Sequence, residues 1–365
     1  MPVTPEVRST AERLLSMFRD AGAVPVEADI LQPAEVLLDL YGEDIRARAY
    51  VTTDPVRGEL MLRPDFTVPV VRAHMEGGAE PARYCYSGAV FRQQDGIGNR
   101  ASEYLQVGYE VFDPRAAAAD AEVFALFARI LAPLPLRAQT GDIGVLMAAV
   151  GGLTTTPARK AALMRHIWRP RRFRALLDRF TGRSAPLPGR ARLIAQLGET
   201  PVADLMARAG PAIGLRSAAE VARRASALLA DAEAPPIPPR EAEALDDLLA
   251  IAAPAPGALQ RVRDIAVDLP SLAPAAARMA ARLDALDAAG VDVAALPFEA
   301  SHGRSTLEYY DGFVFSFHAD QPGLPPVASG GRYDALTAVL GRGRSIPAVG
   351  GVIRPALVAA LGGLG

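Results

Sequence analysis

An alanine-rich stretch lies between two segments that both have strand patterning, and this order constrains the fold more than any other feature. From about residue 144 to residue 290 the chain has few aromatic residues and many prolines, a pattern that predicts several short helices. Before this stretch, a helix predicted over residues 5–21 leads into short strand-like runs, and strand patterning returns after Gly290. We therefore predict an α+β fold whose core, residues 1–145 and 291–365, is interrupted by a helical insertion, residues 146–290.

Composition excludes several classes of protein. The 365 residues include 39 basic and 41 acidic side chains, so a net charge of -2 creates no overall attraction to nucleic acid or to an anionic membrane. The single lysine, Lys160, lies in ARKAAL without a glycine loop, which excludes a P-loop. The single cysteine, Cys85, excludes a disulfide within the chain, and the four histidines have no zinc-ligand spacing. With no apolar leader and no run of about 20 apolar residues, we expect a cytoplasmic protein without metal, cofactor or membrane contact.

One segment of the helical stretch is strongly basic. The segment from Arg159 to Arg192 contains eleven basic residues and only one acidic residue, Asp178. A run of this kind is usually a solvated arginine-rich face, and the alternative is a docking surface for an acidic partner or phosphate. Trp168 and Phe173 within it are predicted to belong to the core rather than to stack on bases.

Two neighbouring strands carry the most informative pattern in the chain. Side chains alternate between faces along a strand, so the segment 103–112 places Gln106, Gly108 and Glu110 on one face and apolar residues on the other. The segment 83–92 has the same alternation, with Cys85 on its apolar face. A carboxylate, an amide and a glycine on one face predict a polar ligand lying against the sheet.

Two further segments add polar groups of the same kind. Asp65 and Thr67 stand between two prolines in LRPDFTVPVVR, and LEYYDGFVF is predicted to place Tyr310, Gly312 and Val314 on one face of a strand. Together with Gln106 and Glu110 these groups suit an α-amino acid, because carboxylates and hydroxyls accept hydrogen bonds from an ammonium group. The alternative is a buried polar network with a structural role alone.

Four segments in this order resemble histidyl-tRNA synthetase: LRPDFTVPVVR, RYCYSGAVFRQQDGIGNRASEYLQVGYEVFD, LEYYDGFVF and ASGGRYDAL. Pro33 resembles the proline of class II motif 1, which implies a dimer and an antiparallel sheet flanked by helices. The resemblance implies a contact with the α-phosphate of ATP for Arg92. It also implies three groups of residues around bound histidine. Asp65, Thr67, Gln106 and Glu110 would hold the amino group, and Tyr310 would lie near the imidazole. Gly330 and Gly331 would line the floor of the pocket.

Departures from the synthetase pattern concern the ATP side of the pocket. Ser305 stands at the position of an arginine, and Ala356 and Leu357 stand at the positions of the acid and the arginine of motif 3. In motif 2, Gln94 replaces a glutamate and Ser102 an arginine. Since the loss of one preorganised stabilising donor costs about 10²–10³ in rate, we expect no catalytic residues here.

A synthetase-like chain that keeps the amino-acid side and loses the ATP side resembles the regulatory subunits of ATP phosphoribosyltransferase. That resemblance implies a non-catalytic subunit without an anticodon-binding domain. Its implied partner is a short catalytic subunit for the first step of histidine biosynthesis, with L-histidine as the implied effector. One alternative is a minimal histidyl-tRNA synthetase-like enzyme that activates an amino acid through Arg92 alone. Another is an RNA-binding module that uses the basic run, with affinity that falls steeply as salt rises.

Overall fold

The computed structural model describes residues 3–34, 49–93, 102–210, 215–304 and 309–364. Helices are most frequent in the middle of the chain. The α-helices in the described ranges are α1 (Pro5–Asp20), α2 (Thr67–Met75), α3 (Ala116–Leu131), α4 (Ile143–Gly152), α5 (Pro157–Arg165), α6 (Pro170–Phe180), α7 (Pro188–Glu199), α8 (Val202–Arg208), α9 (Ala218–Glu233), α10 (Pro239–Leu249), α11 (Ala255–Asp268), α12 (Ala273–Ala288), α13 (Asp334–Leu340) and α14 (Pro355–Ala360).

Most strands come from the two ends of the chain. They are β1 (Val24–Pro25), β2 (Leu31–Pro33), β3 (Val51–Asp54), β4 (Gly58–Leu62), β5 (Ala82–Phe91), β6 (Glu103–Phe112), β7 (Leu136–Asp142), β8 (Ala252–Pro254), β9 (Pro297–Glu299), β10 (Phe313–Ala319), β11 (Ala328–Arg332) and β12 (Ala348–Ile353). Nine of these strands form one sheet in the order β1-β5-β6-β12-β11-β10-β7-β9-β8, and the other three form a small sheet, β2-β4-β3.

The alternation in β5 and β6 explains why these two strands pair and what they bury. The structure confirms β6 over the predicted 103–112, and β5 lies one residue before the predicted 83–92. The apolar side chains of β6 pack beneath helices, and the ring of Tyr109 lies 5.3 Å from that of Phe18 in α1. The opposite face, with Gln106, is left for the site.

The expected antiparallel sheet is confirmed, and one other expectation needs correction. The large sheet is antiparallel except at β1–β5 and β7–β9, which pair in parallel. The segment LEYYDGFVF is not a strand throughout, because β10 begins only at Phe313. Asp311 instead accepts hydrogen bonds from the backbone N–H groups of Asp334 and Ala335, which holds a turn before the strand. Tyr310 therefore projects from this turn.

Most of the described residues between Ile143 and Ala288, where the sequence predicts an insertion, are helical, and β8 is a short strand among them. The division into core and insertion stays a prediction. Of these helices, α12 packs on α3, and its Arg282 donates to Asp120 and Asp142. Helices α7, α8 and α9 bury none of their described residues. In the described part of the chain, no helix has both the length and the apolar character that a membrane crossing requires.

Candidate functional site

A cavity of about 1520 Å³ lies on the sheet face that carries Gln106. It is larger than the roughly 300–1,000 Å³ of an ordinary small-molecule pocket. Its floor runs across β6, β12, β11, β10 and β7. Six of the eight residues predicted for the site line it: Asp65, Thr67, Arg92, Gln106, Tyr310 and Gly330.

The other two predicted residues, Glu110 and Gly331, lie behind the cavity wall. Glu110 accepts a hydrogen bond from Oγ1 of Thr67 at 2.9 Å, so it supports a lining residue rather than lining the cavity itself. A Cβ at Gly331 would come within 2.8 Å of the Tyr310 ring, so this glycine makes room for that tyrosine.

Gln106 is the polar side chain of the floor that most clearly lacks a partner. It is 1% exposed, and its Oε1 accepts no hydrogen bond from any described residue. Leaving a buried acceptor unpaired costs about 1–3 kcal/mol. The site therefore has room for a donor that the described residues do not supply.

Asp65 and Thr67 reach the cavity from the start of α2. Asp65 accepts from the N–H of Val68 at 3.5 Å, and Thr67 is the first residue of the helix. Both are buried. The two prolines around them limit backbone freedom, so a carboxylate and a hydroxyl are presented together at one end of the cavity.

Glu110 lies in a buried network of hydroxyl groups. The hydroxyls of Tyr86 and Tyr333 donate to it at 2.9 and 2.6 Å, in addition to that of Thr67. No described lysine or arginine forms an ion pair with it. Burial raises the pKa of Glu110 to about 7, and the three hydroxyl donors oppose that shift.

Two glycines create the space for this network. A Cβ on Gly108 would lie 2.0 Å from Cζ of Tyr86, and a Cβ on Gly350 would lie 1.6 Å from Oε2 of Glu110. Glycine in the middle of a strand marks a place where another group must approach the backbone closely. The network therefore depends on both glycines.

The structure adds residues around the site that sequence reasoning missed. Tyr333 donates to Glu110, and the hydroxyl of Tyr309 donates to Thr67 at 3.3 Å. Both tyrosines lie in the segments that resemble the synthetase, so the resemblance was a signal for them. Arg354 also lines the cavity, and no sequence pattern distinguished it.

The half of the cavity over β7 and β10, called the far half below, contains two histidines on either side of a serine. Oγ of Ser316 lies 3.0 Å from Nε2 of His302 and 2.7 Å from Nε2 of His318. Burial lowers the pKa of His302 to about 4 and also lowers that of His318, so both imidazoles are neutral near pH 7. Among the described residues, no cluster of three or more His, Cys, Asp and Glu side chains could hold a metal ion.

Two positions that are charged in the synthetase pattern are apolar in the wall of this cavity. Ala356 and Leu357 line the cavity, and Nε of Arg92 donates to the carbonyl of Pro64 at 2.8 Å. Ser102 is described and its carbonyl accepts from the N–H of Arg92, whereas Gln94 and Ser305 lie outside the described residues.

Arg304 does not take the place of the arginine expected at position 305. It is 5% exposed, its Nε donates to the carbonyl of Ile167 at 2.9 Å, and its guanidinium lies 4.8 Å from the centre of the Phe173 ring. The charge is therefore directed into the helical region. Burial lowers the pKa of Arg304 to about 10.

The basic run is partly a structural feature. Arg159 is buried, and its guanidinium donates to the carboxylate of Asp231 at 2.6 Å and to the carbonyl of Pro235. Arg174 and Arg183 both contact Asp246, so a good part of the run joins helices to one another. Phe173 is buried, as predicted.

The sequence profile of the family described as histidyl-tRNA synthetase matches residues 3–199 and 202–356. Two relatives are named ATP phosphoribosyltransferase regulatory subunit. The chain is 34% identical to that of Mesorhizobium japonicum, covering 95% of this chain and 96% of the relative, and 35% identical to that of Agrobacterium fabrum, covering 93% of each.

Solved structures show the same fold. An ATP phosphoribosyltransferase regulatory subunit/histidyl-tRNA synthetase from Bacillus halodurans superposes with a TM-score of 0.68 at 21% identity, over all of this chain and 82% of that one. A histidine–tRNA ligase subunit from Alicyclobacillus acidocaldarius gives a TM-score of 0.58 at 24% identity, over 99% and 95%. The predicted class II synthetase-like fold is confirmed.

Proposed function

The chain belongs to the family of ATP phosphoribosyltransferase regulatory subunits, and we propose that its cavity binds free L-histidine and thereby controls a separate catalytic subunit. The family name implies a catalytic partner that carries the transferase chemistry of histidine biosynthesis. Histidine binding, feedback control and the short form of the partner belong to the proposal.

The observation that carries the proposal is the unpaired Oε1 of Gln106 in the wall of the cavity. The carboxylate of Asp65 and the hydroxyl of Thr67 line the same cavity. These three groups accept hydrogen bonds, and an ammonium group donates three. An amino acid with a free ammonium group therefore suits this end of the cavity.

The imidazole side chain has a matching environment. Tyr310 is buried in the lining, and burial raises the pKa of its hydroxyl, which therefore stays protonated and able to donate. Behind it the Glu110 network offers a carboxylate with no cation of its own among the described residues. These features support an aromatic, nitrogen-bearing side chain such as that of histidine.

Titration calorimetry of the purified chain with L-histidine tests the site. We expect Gln106→Leu to weaken binding about tenfold, because a hydrogen bond to a charged group is worth roughly 1.5–3 kcal/mol. Gln139→Leu is the matched control, since Gln139 lines the far half of the same cavity. If Gln106→Leu binds as the wild type does, the histidine is held elsewhere.

Reconstitution with a short catalytic chain tests the regulatory role. We expect the two chains to co-elute, the transferase activity to rise on assembly, and L-histidine to inhibit the complex. Glu110→Ala is expected to weaken that inhibition while assembly persists, since Glu110 holds Thr67 in place. Absence of both co-elution and stimulation would contradict the proposal.

The alternative, amino-acid activation by the isolated chain, has a direct assay. Ala356 and Leu357 offer no charge to ATP at the cavity wall, which supports the regulatory role over activation. We therefore expect no histidine-dependent exchange of pyrophosphate into ATP. Exchange above background would favour the alternative.

We also propose a homodimer through the small sheet and the adjacent edge of the large one. The part of motif 1 that follows Pro33 includes residues 35–48, which lie outside the described residues. Ile30 and Val51 beside this small sheet are 47% and 43% exposed, an apolar surface that a second copy would cover. Light scattering is expected to show a dimer that Ile30→Asp weakens, with Val267→Asp on α11 as the exposed control. An Ile30→Asp variant that stays dimeric would contradict this.

The expected compartment of the complex is the cytoplasm. Cys85 is a free and buried thiol. Burial raises its pKa to about 11, which keeps it unreactive, as expected of a structural cysteine. Fractionation of cells with an antibody to this chain is expected to recover it with cytoplasmic markers.

A further inference from the structure

We propose that Arg354 binds the carboxylate of the amino acid, so that the cavity selects ligands with a free carboxylate; this inference rests on the proposed function. An α-amino acid is a zwitterion. A site that holds its ammonium group with Asp65, Thr67 and Gln106 also needs a cation for the carboxylate on the same carbon atom.

Strand register brings Arg354 beside Gln106. The last residue of β12, Ile353, pairs with Val107 of β6, so the next residue, Arg354, continues opposite Gln106. Residues opposite each other in neighbouring strands share a face, with Cβ atoms about 5 Å apart. The backbone N–H of Arg354 donates to the carbonyl of Val327 at 2.9 Å, which fixes this position at the strand end.

The guanidinium of Arg354 lies over the floor of the cavity. Its Nη1 donates to the carbonyl of Pro326 at 2.5 Å, and both residues line the cavity. Its charge acts on both halves, since it helps to lower the pKa of His318 and opposes the rise in the pKa of Tyr310. The Arg354 charge is therefore within electrostatic reach of both Tyr310 and His318.

The other arginines of the lining are less suited to this task. Arg92 lies four residues beyond Gly88, the partner of Gln106 in β5, which is about 13 Å along the strand at roughly 3.3 Å per residue. Arg137 lies on β7, is 75% exposed and pairs with Asp320.

Arginine is also the appropriate residue type. Its planar guanidinium can offer two parallel N–H donors to the two oxygens of a carboxylate, which lysine cannot do. A ligand that lacks the carboxylate would form no ion pair with the guanidinium of Arg354. The site is therefore expected to prefer L-histidine over L-histidinol, in which an alcohol replaces the carboxylate.

Calorimetry with these two ligands tests Arg354. We expect the wild type to bind L-histidine roughly 10- to 100-fold more tightly than L-histidinol, the range for hydrogen bonds to charged groups. Arg354→Met is expected to lose this preference by weakening L-histidine binding alone, and Arg354→Lys to retain part of it. Arg137→Met, which removes one positive charge from the far wall, is expected to behave as the wild type does.

The outcomes separate the two proposals. If the wild type binds neither ligand, the histidine site itself is refuted, and Arg354 with it. If the wild type binds L-histidine and Arg354→Met keeps the preference over L-histidinol, the histidine site stands and the role of Arg354 is overturned. Equal weakening of both ligands by Arg354→Met would also overturn it, because that result indicates a structural effect. Far-ultraviolet circular dichroism of each variant confirms that it is folded.

Discussion

Two buried carboxylates of this molecule differ in what surrounds them. Asp120 in α3 is 2% exposed and receives hydrogen bonds from Arg332 at 2.7 Å and from Arg282 at 3.4 Å. Glu110 in β6 is 1% exposed and receives hydrogen bonds from three hydroxyls. Burial raises the pKa of both, and at Asp120 two guanidinium groups oppose the shift.

Asp120 therefore carries a structural charge, whereas the surroundings of Glu110 suit a charge that interacts with a ligand. The cations around Asp120 come from β11 and α12, so this carboxylate joins the sheet to the helical region. At Glu110 the described residues supply no cation, and the carboxylate stands behind a cavity whose lining includes the acceptors Asp65, Thr67 and Gln106. Such a group gains most from a cationic ligand.

The largest expected effect is on the free energy of unfolding and comes from removing the charge of Asp120. Asp120→Asn leaves two buried guanidinium groups with one anion fewer, and we expect a loss of about 3–5 kcal/mol in the free energy of unfolding. Urea denaturation measures it. The control is Asp320→Asn, which removes the partner of Arg137 on the surface and is expected to cost less than about 1 kcal/mol. Equal effects of the two changes would contradict the comparison.

The second effect concerns Glu110 and the stability of the ligand-free protein. Its folded pKa lies above the ordinary value of 4.5, so the folded state binds more protons, and stability falls as pH rises from about 4.5 through 7. Glu110→Gln removes this loss, which amounts to up to about 3 kcal/mol at roughly 1.4 kcal/mol per pKa unit. Unfolding curves between pH 5 and pH 8 measure it. If the stability of the wild type and that of Glu110→Gln depend on pH in the same way, Glu110 is ionised throughout the range from pH 5 to pH 8, which would contradict the prediction.

A third change tests the basic run against the site. Asp231→Asn removes the anion that Arg159 and Arg190 contact, and we expect a loss of about 2 kcal/mol in stability because hydrogen bonds to charged groups are broken. Histidine affinity should stay unchanged, because no residue of the run lines the cavity. A changed affinity in calorimetry would indicate that the run takes part in binding.

The smallest effect is the pH dependence of ligand binding. A cationic ligand favours the ionised form of Glu110, so affinity should rise as pH increases through about 7. The rise is up to about tenfold if the ligand shifts the pKa of Glu110 by about one unit. Glu110→Gln should show only the titration of the ligand itself. A wild-type profile equal to that of Glu110→Gln would place the cation far from this carboxylate.

Local patterns predicted the two central strands well. The alternation of polar and apolar residues along 103–112 is a property of consecutive residues, so the bounds of β6 and the face of Gln106 could be read directly. The same reasoning failed at Tyr310, which was placed in a strand. The turn there depends on Asp311 accepting hydrogen bonds from residues 334 and 335, and no local pattern contains that contact.

The candidate site was predicted in part. Asp65, Thr67, Gln106 and Tyr310 were identified from residue type and from the resemblance, and all four line the cavity. Whether they hold histidine stays a prediction. Arg354 was missed because its neighbour, Gln106, is separated from it by most of the chain.

By itself, the sequence determined the two central strands, which of their faces is polar and which family the segments resemble, because each of these depends on residue order over short spans. Only the tertiary structure decided that, among the residues it describes, Glu110 meets hydroxyls rather than cations and Asp120 meets two guanidinium groups. It also decided that Ile353, the residue before Arg354, pairs with Val107, the residue after Gln106. The reason is physical: sheet order joins β6 to β12 and β11 across more than two hundred residues, and burial then fixes which charges each carboxylate meets.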